Sequence, residues 1–165
     1  RIAAARMRFG LVSHTIFLFA EHGDYAANLS ASQFEIAYPI RSFYERVLAT
    51  ALASDAPATA WADADNPFVS TKAAVLRRAH NGADIGQRQA VTLGQALELY
   101  THRAAACTTA TGVGAIAAGM DADFVVLDRD PFAVPPEELD QIRVRETWIQ
   151  GRRVWPRASE VEVEA

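Results

Sequence analysis

The sequence contains a single cysteine, Cys107, in 165 residues. One thiol excludes an internal disulfide framework and is typical of a reducing compartment, so we expect a cytoplasmic location. No basic partner for this thiol is evident in the sequence, and we therefore interpret Cys107 as a small buried hydrophobic residue.

An excess of positive charge is also absent, since 16 Lys and Arg residues stand against 20 Asp and Glu residues and the formal net charge is −4. A chain without a basic stripe or a polybasic anchor is not expected to bind nucleic acid or a membrane surface. Long apolar runs are missing as well, because His, Asp or Gly interrupts each one well short of the roughly 20 residues that span a bilayer. Hydrophobic residues make up 50% of the chain, which is enough for a sizeable core in one domain of ordinary size.

The first half of the chain predicts a parallel β-α-β unit. Residues 8–14 are typical of a strand, and the helix that begins at Pro39 carries one apolar stripe. A second strand follows at once in Ala51-Leu52-Ala53. A strand, a helix and another strand in this order predict a parallel sheet. The chain itself opens at Arg1 in what resembles the last turns of a helix, so we expect it to begin in the middle of a fold.

Asp55 is the residue around which these elements are arranged. It ends the second apolar strand, and Pro57 then prevents the strand from continuing. Barrel enzymes place their chemistry at the carboxyl ends of such buried parallel strands, which makes Asp55 a candidate catalytic residue. The alternative interpretation is an aspartate that caps a helix or a turn.

The histidines indicate no self-sufficient metal site. His14, His22, His80 and His102 do not form the His-x-His or His-x-x-x-His spacing that a zinc site would use. His14 differs from the others because it ends the strand next to the one that carries Asp55, so it could line the same pocket or be a buried structural residue. We interpret Arg77 and Arg78 as part of a solvated surface, with contact to an anionic group as the alternative.

The remaining segments predict helices and a β-rich end. Capping boxes start helices at Ser30 and Thr92, and a further helix is expected over 71–80, ended by Asn81-Gly82. The glycine-rich stretch 112–119 lacks the Lys and the preceding strand of a phosphate loop, so we interpret it as a bend before the next strand. The later strands are expected at 124–127, 144–149 and 152–155, the last two joined as a hairpin at Gln150-Gly151.

Several motifs in the second half resemble a known family. The segment from Gly114 to Asp128, GAIAAGMDADFVVLD, is similar to the G-x-I-x-x-G-x-x-A-D-x-V-V-L-D signature near the C-terminus of the amidohydrolase superfamily. Residues 96–101 before this segment and residues 147–155 after it accompany the same signature. Further upstream, Ser54 to Pro57 and the stretch from Asn66 to Phe68 through residues 74–78 resemble the YtcJ-like branch, amidohydrolase family 3. The motifs agree in order and spacing across nearly the whole chain, but they correspond only to the C-terminal portion of that family.

The resemblance implies an α/β fold: the C-terminal part of a (β/α)8 TIM barrel, with its last two strands and helices, in residues 1–108. Residues 109–165 would supply strands of the attached β-sandwich and a frayed acidic tail. The implied activity is metal-dependent hydrolysis of a C–N bond other than a peptide bond in a small-molecule substrate. Asp55 matches the family's metal ligand and proton shuttle at the eighth strand, and the metal is a divalent ion, expected to be zinc. His14, Asn66 and Phe68 are predicted to contact the substrate.

The chain also departs from the family pattern. The His-x-His of the first barrel strand and the ligands of the middle strands have no counterpart, and two strands cannot close a barrel. We therefore expect a partner, namely the N-terminal portion of the same enzyme as a separate chain or missing segment, and a homo-oligomer of the complete enzyme. The rival hypotheses are a non-catalytic assembly module that keeps the family fold, and a lyase or isomerase on the same scaffold.

Overall fold

A computed structural model describes residues 9–57 and 63–156 of the chain. The helices are α1 (Ile16–Ala20), α2 (His22–Asn28), α3 (Ala31–Glu35), α4 (Ile40–Arg46), α5 (Pro67–Leu76), α6 (Leu93–Tyr100) and α7 (His102–Ala105), with 3₁₀ helices at Gln87–Gln89 and Pro136–Gln141. The strands are β1 (Leu11–Ser13), β2 (Thr50–Leu52), β3 (Phe124–Leu127), β4 (Val144–Ile149) and β5 (Arg152–Trp155). The predicted helix end at residues 1–7 and the acidic tail from Ser159 lie outside the described residues.

Strands β1 and β2 form the predicted parallel pair. Val12 is paired with Ala51 and Ser13 with Leu52, so the β-α-β prediction is confirmed, with a first strand shorter than expected. Helix α4 makes the crossover, and the short helices α1, α2 and α3 are inserted between β1 and α4. The capping box predicted at Ser30 is present at the start of α3.

The two faces of this small sheet differ in their burial. Leu52 is 3% exposed and packs in a core cluster with Ile40 of α4 and with Ala96 and Leu99 of α6. Side chains alternate between the faces of a strand, so Val12 and Ala51 lie on the opposite face from Leu52. Val12 is 51% exposed there, whereas Ala51 is buried. Helices therefore cover one face of the sheet, and the other face leaves an apolar side chain in contact with solvent.

The helix predicted over 71–80 is displaced toward the N-terminus. It spans Pro67–Leu76 because Asn66 caps it, its side chain accepting a hydrogen bond from the Phe68 amide at 3.0 Å, and Pro67 occupies the first turn. Arg77 ends the helix in the left-handed conformation, with φ 48°. The predicted end at Asn81-Gly82 was therefore wrong.

The prediction that Arg77 belongs to a solvated surface was also wrong. Its side chain is fully buried, whereas Arg78 is exposed. The guanidinium donates hydrogen bonds to the carbonyl oxygens of Ala37, Tyr38 and Gly86. Arg77 thus ties the turn before α4 to the loop that follows α5.

The C-terminal module contains an antiparallel sheet in the order β3-β4-β5. The hairpin predicted at Gln150-Gly151 is confirmed by the pairing of β4 with β5. The 3₁₀ helix Pro136–Gln141 connects this module to α5, where Phe68 packs against the buried Leu139 and Ile142. The boundary at 108/109 stays a prediction.

The glycine-rich stretch forms no regular helix or strand, as expected for a bend. Gly114 has φ +91°, and a Cβ atom added there would lie 2.7 Å from the Cβ of Ala105. Only glycine fits this close approach to α7. Within the described residues, no helix has the length and apolar character needed to cross a membrane.

Candidate active site

The carboxyl ends of β1 and β2 lie side by side and define the candidate site. The backbone amide of Ala53 donates to the carbonyl oxygen of Ser13 at 3.0 Å, so the pairing continues one residue beyond β2. His14 follows β1 directly. Asp55 lies in the loop that follows β2. The parallel register therefore places the two sequence-predicted residues after neighbouring strand ends.

Asp55 is not itself a strand residue, because β2 ends at Leu52. Its backbone is left-handed with φ 56°, and its side chain is exposed. A left-handed backbone costs a residue with a Cβ atom about 1 kcal/mol, and aspartate is among the residues that tolerate it best. Such an outlier at a strand end motivates a functional hypothesis.

The carboxylate of Asp55 is available for a ligand. Among residues 9–57 and 63–156, none forms a hydrogen bond or ion pair with it. It does not cap α5 either, since Asn66 performs that role. Carboxylate oxygen is a ligand for divalent metal ions, so Asp55 fits the part of one metal ligand.

The other ligands of a metal are not found beside it. Over the part of the chain that the structure describes, no three His, Cys, Asp or Glu side chains cluster closely enough to hold a metal ion. Asp55 therefore fits a metal site only as a single ligand of a larger set.

His14 is half-buried at its strand end. Its ring packs on Phe17 with a centroid distance of 5.6 Å and an interplanar angle of 37°. The flanking residues Ser13 and Thr15 are both buried. The position is compatible with a residue that lines a shared cleft, and contact of His14 with substrate stays a prediction.

Asn66 and Phe68 have structural contacts in this fold. The Asn66 side chain caps α5 through its oxygen, and its Nδ2 donates to the carbonyl oxygen of Asp140 at 2.9 Å. Phe68 is 6% exposed and packs against Leu139 and Ile142. Contact of either residue with a substrate stays a prediction.

An open cleft of about 550 Å³ lies beside these residues, between the start of α5 and the C-terminal sheet. Asp63, Asn66, Arg143 and Trp155 are among its lining residues. Neither His14 nor Asp55 lines this cleft, so the strand-end site is separate from it.

The contacts that join α5 to the C-terminal module could not be predicted from the sequence. Lys72 on α5 pairs with Asp140, with 2.9 Å between Nζ and Oδ2. No local pattern joins residues that are 68 positions apart in the sequence. The Asn66-Pro67 pair did carry a readable signal, because an N-cap residue followed by proline marks the first turn of a helix.

Comparison with known proteins identifies the family. A family model described as "Amidohydrolase family" matches residues 1–155. The chain is 28% identical over 159 residues to "Putative amidohydrolase YtcJ" of Bacillus subtilis (strain 168), a match that covers 94% of this chain and 29% of that protein. It is 34% identical over 115 residues to the N-substituted formamide deformylase of Arthrobacter pascens, which covers 69% of this chain and 20% of that enzyme. No solved structure matches the chain.

The chain thus spans less than a third of the length of either curated relative, 29% of one and 20% of the other. The family match is nevertheless continuous, and it includes both the strand-end aspartate and the glycine-rich segment with its following strand. The chain belongs to the amidohydrolase family.

Proposed function

We propose that this chain is the C-terminal segment of a metal-dependent hydrolase that cleaves a C–N bond other than a peptide bond in a small molecule. In this proposal β1 and β2 are the last two strands of a (β/α)8 barrel. The observation that supports the proposal is the exposed, left-handed Asp55, three residues beyond Leu52 at the point where two parallel strands end together. Its carboxylate forms no hydrogen bond or ion pair with the residues that the structure describes. Barrel enzymes carry their catalytic residues at the carboxyl ends of the barrel strands.

The names of the relatives support the type of bond. One is described as an amidohydrolase and the other as a deformylase of N-substituted formamides. Both names denote substrates in which a carbonyl carbon is bound to nitrogen. We extend this bond type to the present chain, without assigning a particular substrate.

Asp55 has two tasks in the proposed reaction. Its carboxylate would serve as one ligand of the metal, and it would accept a proton from the attacking water and deliver that proton to the leaving nitrogen. A bound divalent cation, zinc in this proposal, would supply Lewis acidity toward the carbonyl oxygen and the water. His14, on the adjacent strand end, is proposed to contact the substrate beside Asp55.

We propose that the other ligands come from polypeptide outside this chain. Asp55 fits as a single ligand, and among the described residues no metal-binding cluster surrounds it. The exposed Val12 on the face of the two-stranded sheet is the kind of surface that further barrel strands would cover. We propose that the N-terminal portion of the enzyme, as a separate chain or as another segment, completes the barrel, and that the complete enzyme is a cytoplasmic homo-oligomer.

The experiment that tests this proposal compares the chain alone with the chain co-expressed with that N-terminal portion. Zinc content is measured by elemental analysis, and N-ethylformamide is supplied as a simple amide probe with product identification. We expect stoichiometric zinc and release of ethylamine and formate only from the complete assembly. A complex without metal or turnover would favour an assembly module, and products formed without net addition of water would favour a lyase or isomerase.

A further inference from the structure

Three half-buried aromatic side chains form a row that begins at the strand-end site. The ring of His14, directly after β1, lies 5.6 Å from the ring of Phe17 in α1, measured between centroids. The ring of Phe17 in turn lies 6.4 Å from that of Tyr38, with an interplanar angle of 55°. Aromatic pairs attract each other at such distances and tilted geometries. The row therefore links the end of β1 to the turn before α4.

The row starts on the side of the sheet that leaves Val12 exposed. The alternation of side chains along β1, continued past Ser13, places His14 on the same face as Val12. The pairing with β2 extends that far, since the Ala53 amide donates to the Ser13 carbonyl oxygen. The rings therefore begin at the edge of the space that further barrel strands would enclose in the proposed function.

Tyr38 is held in an unusual backbone conformation. Its φ of 47° lies in the left-handed region, which bulky side chains rarely adopt. The buried Arg77 donates to its carbonyl oxygen at 3.2 Å, and the hydroxyl oxygens of Tyr25 and Tyr38 are 2.8 Å apart. The ring also packs against the buried side chains of Leu18 and Ile85. Strained residues that their surroundings hold in place cluster at ligand sites, which motivates a functional hypothesis for this ring.

The row presents mainly apolar surface to a ligand. The side chain of Phe17 has no polar atom, and the hydroxyl group of Tyr38 is occupied with that of Tyr25. Burial is the largest cause that raises the pKa of the Tyr38 hydroxyl, and the neighbouring Glu21 adds a smaller contribution. Small-molecule sites are lined mostly by such hydrophobic and aromatic side chains. A hydrocarbon group suits this surface, whereas an ammonium group would give up its hydration there.

We propose that Phe17 and Tyr38, continuing from His14, form an apolar subsite that binds a hydrocarbon substituent of the amide substrate. The two rings determine specificity, and cleavage of the bond belongs to the site of Asp55. This inference rests on the proposed function, because it names the class of amide that the same site accepts. That class carries an alkyl or aryl group next to the scissile C–N bond.

The substrate class is tested with pairs of probes that differ in one terminal group. The first pair is N-hexylformamide and its analogue in which an ammonium group replaces the terminal methyl group. The second pair is N-methylheptanamide and its ammonium analogue, which carry the chain on the acyl side. For the complete wild-type enzyme we expect kcat/KM to be at least about a hundredfold higher for the hydrocarbon member of one pair. The pair that shows this preference identifies the half of the amide that the row contacts.

Phe17→Ala and Tyr38→Asn each remove one ring of the row. Asparagine tolerates a left-handed backbone, so Tyr38→Asn keeps the carbonyl oxygen that Arg77 binds. Each variant should lower kcat/KM for the preferred hydrocarbon probe about tenfold. Turnover of N-methylformamide, which lacks the chain, should stay unchanged and so report that the variants fold. Phe132→Ala is the matched control, because Phe132 is 67% exposed in the C-terminal module, and it should change neither value.

The inference is overturned if the wild-type enzyme prefers the hydrocarbon member of neither pair. It is also overturned if Phe17→Ala and Tyr38→Asn keep the full preference. Failure of the proposed function looks different, because the wild-type enzyme would then hydrolyse none of these amides, N-methylformamide included. Calorimetric titration with N-hexylformamide and its ammonium analogue would still decide: tighter binding of the hexyl probe that both ring variants lose supports the subsite, and equal binding of the two probes rejects it.

Discussion

The Nε of Arg77 donates to the carbonyl oxygen of Gly86 at 3.2 Å, inside the protein and without exposure to solvent. Burial lowers the pKa of Arg77 to about 10, so the guanidinium stays charged at neutral pH. Its hydrogen bonds to backbone carbonyls replace the water that it loses. The two loops that Arg77 joins, one before α4 and one after α5, are therefore held by a single buried cation.

Replacing Arg77 with methionine should destabilise the protein. The substitution removes the hydrogen bonds that Arg77 donates to the carbonyl oxygens of Ala37, Tyr38 and Gly86. The carbonyl oxygens of Tyr38 and Gly86 still accept from backbone amides, so we count about 1 kcal/mol for each lost bond and expect a loss of about 3 kcal/mol. The free energy of unfolding is measured by urea titration, with the exposed Arg78→Met as the matched control. Equal stability of the two variants would contradict the assigned role of Arg77.

The close approach of Gly114 to α7 can be tested by adding a side chain, which would be destabilised by the backbone conformation and by a steric contact. Gly114→Ala combines a positive φ with a contact of 2.7 Å to the Ala105 Cβ atom. Gly112 has φ +76° and nothing within 4 Å of an added Cβ atom, so Gly112→Ala isolates the backbone penalty. We expect about 1 kcal/mol of destabilisation for Gly112→Ala and a further loss of about 1–3 kcal/mol for Gly114→Ala from overpacking. Indistinguishable urea midpoints would show that the approach to α7 is not close in solution.

The carboxylate of Asp128 should make the free energy of unfolding depend on pH in the acidic range. The backbone amide of Arg143 donates to its carboxylate at 2.9 Å, and this bond is the main reason that the pKa of Asp128 lies below its ordinary value. The unfolded chain therefore takes up the proton more readily than the folded one. The resulting stabilisation is present above the unfolded pKa of about 3.9 and is lost as the pH falls through the lower folded pKa.

The measurement is the difference in unfolding free energy between the wild type and Asp128→Asn as a function of pH. Asparagine keeps an oxygen acceptor for the Arg143 amide but carries no charge, so the difference reports the carboxylate. We expect a constant difference from neutral pH down to about 5 that shrinks below about 4. Asp121→Asn, at an exposed position, serves as the control. A difference that grows on acidification would be incompatible with the lowered pKa.

The local elements of the fold could be predicted because their causes are local. The capping box at Thr92 and the hairpin at Gln150-Gly151 depend on residues a few positions apart, and both are present. The parallel pairing of β1 with β2 followed from the order strand, helix, strand. Local conformational propensity, hydrophobic periodicity and the handedness of strand-helix-strand connections are enough to predict these features.

The errors have a tertiary origin. Arg77 follows a helix and precedes another arginine, which is a pattern typical of an exposed surface. Its burial is explained by hydrogen bonds to the carbonyl groups of two loops that are distant in the sequence. Asp140 likewise acquires its contacts from α5, far away in the sequence. The expectation that Asp55 ends the second strand was wrong, because β2 ends at Leu52 and Asp55 lies in the loop that follows it. The contacts between α5 and the C-terminal module could not be predicted either.

The Asp55→Asn variant of the complete enzyme decides whether the carboxylate of Asp55 takes part in the reaction. Asparagine tolerates the left-handed backbone as well as aspartate does, so the loop should keep its shape. Asp63→Asn is the matched control, because Asp63 is also exposed and left-handed, with φ 53°, at the other side of the same loop.

Zinc content and kcat for N-ethylformamide are measured for both variants beside the wild type. We predict that Asp55→Asn lowers kcat by at least about a hundredfold and reduces bound zinc, while Asp63→Asn keeps both. An Asp55→Asn enzyme with wild-type turnover and a full complement of zinc would show that Asp55 is neither a metal ligand nor a proton shuttle.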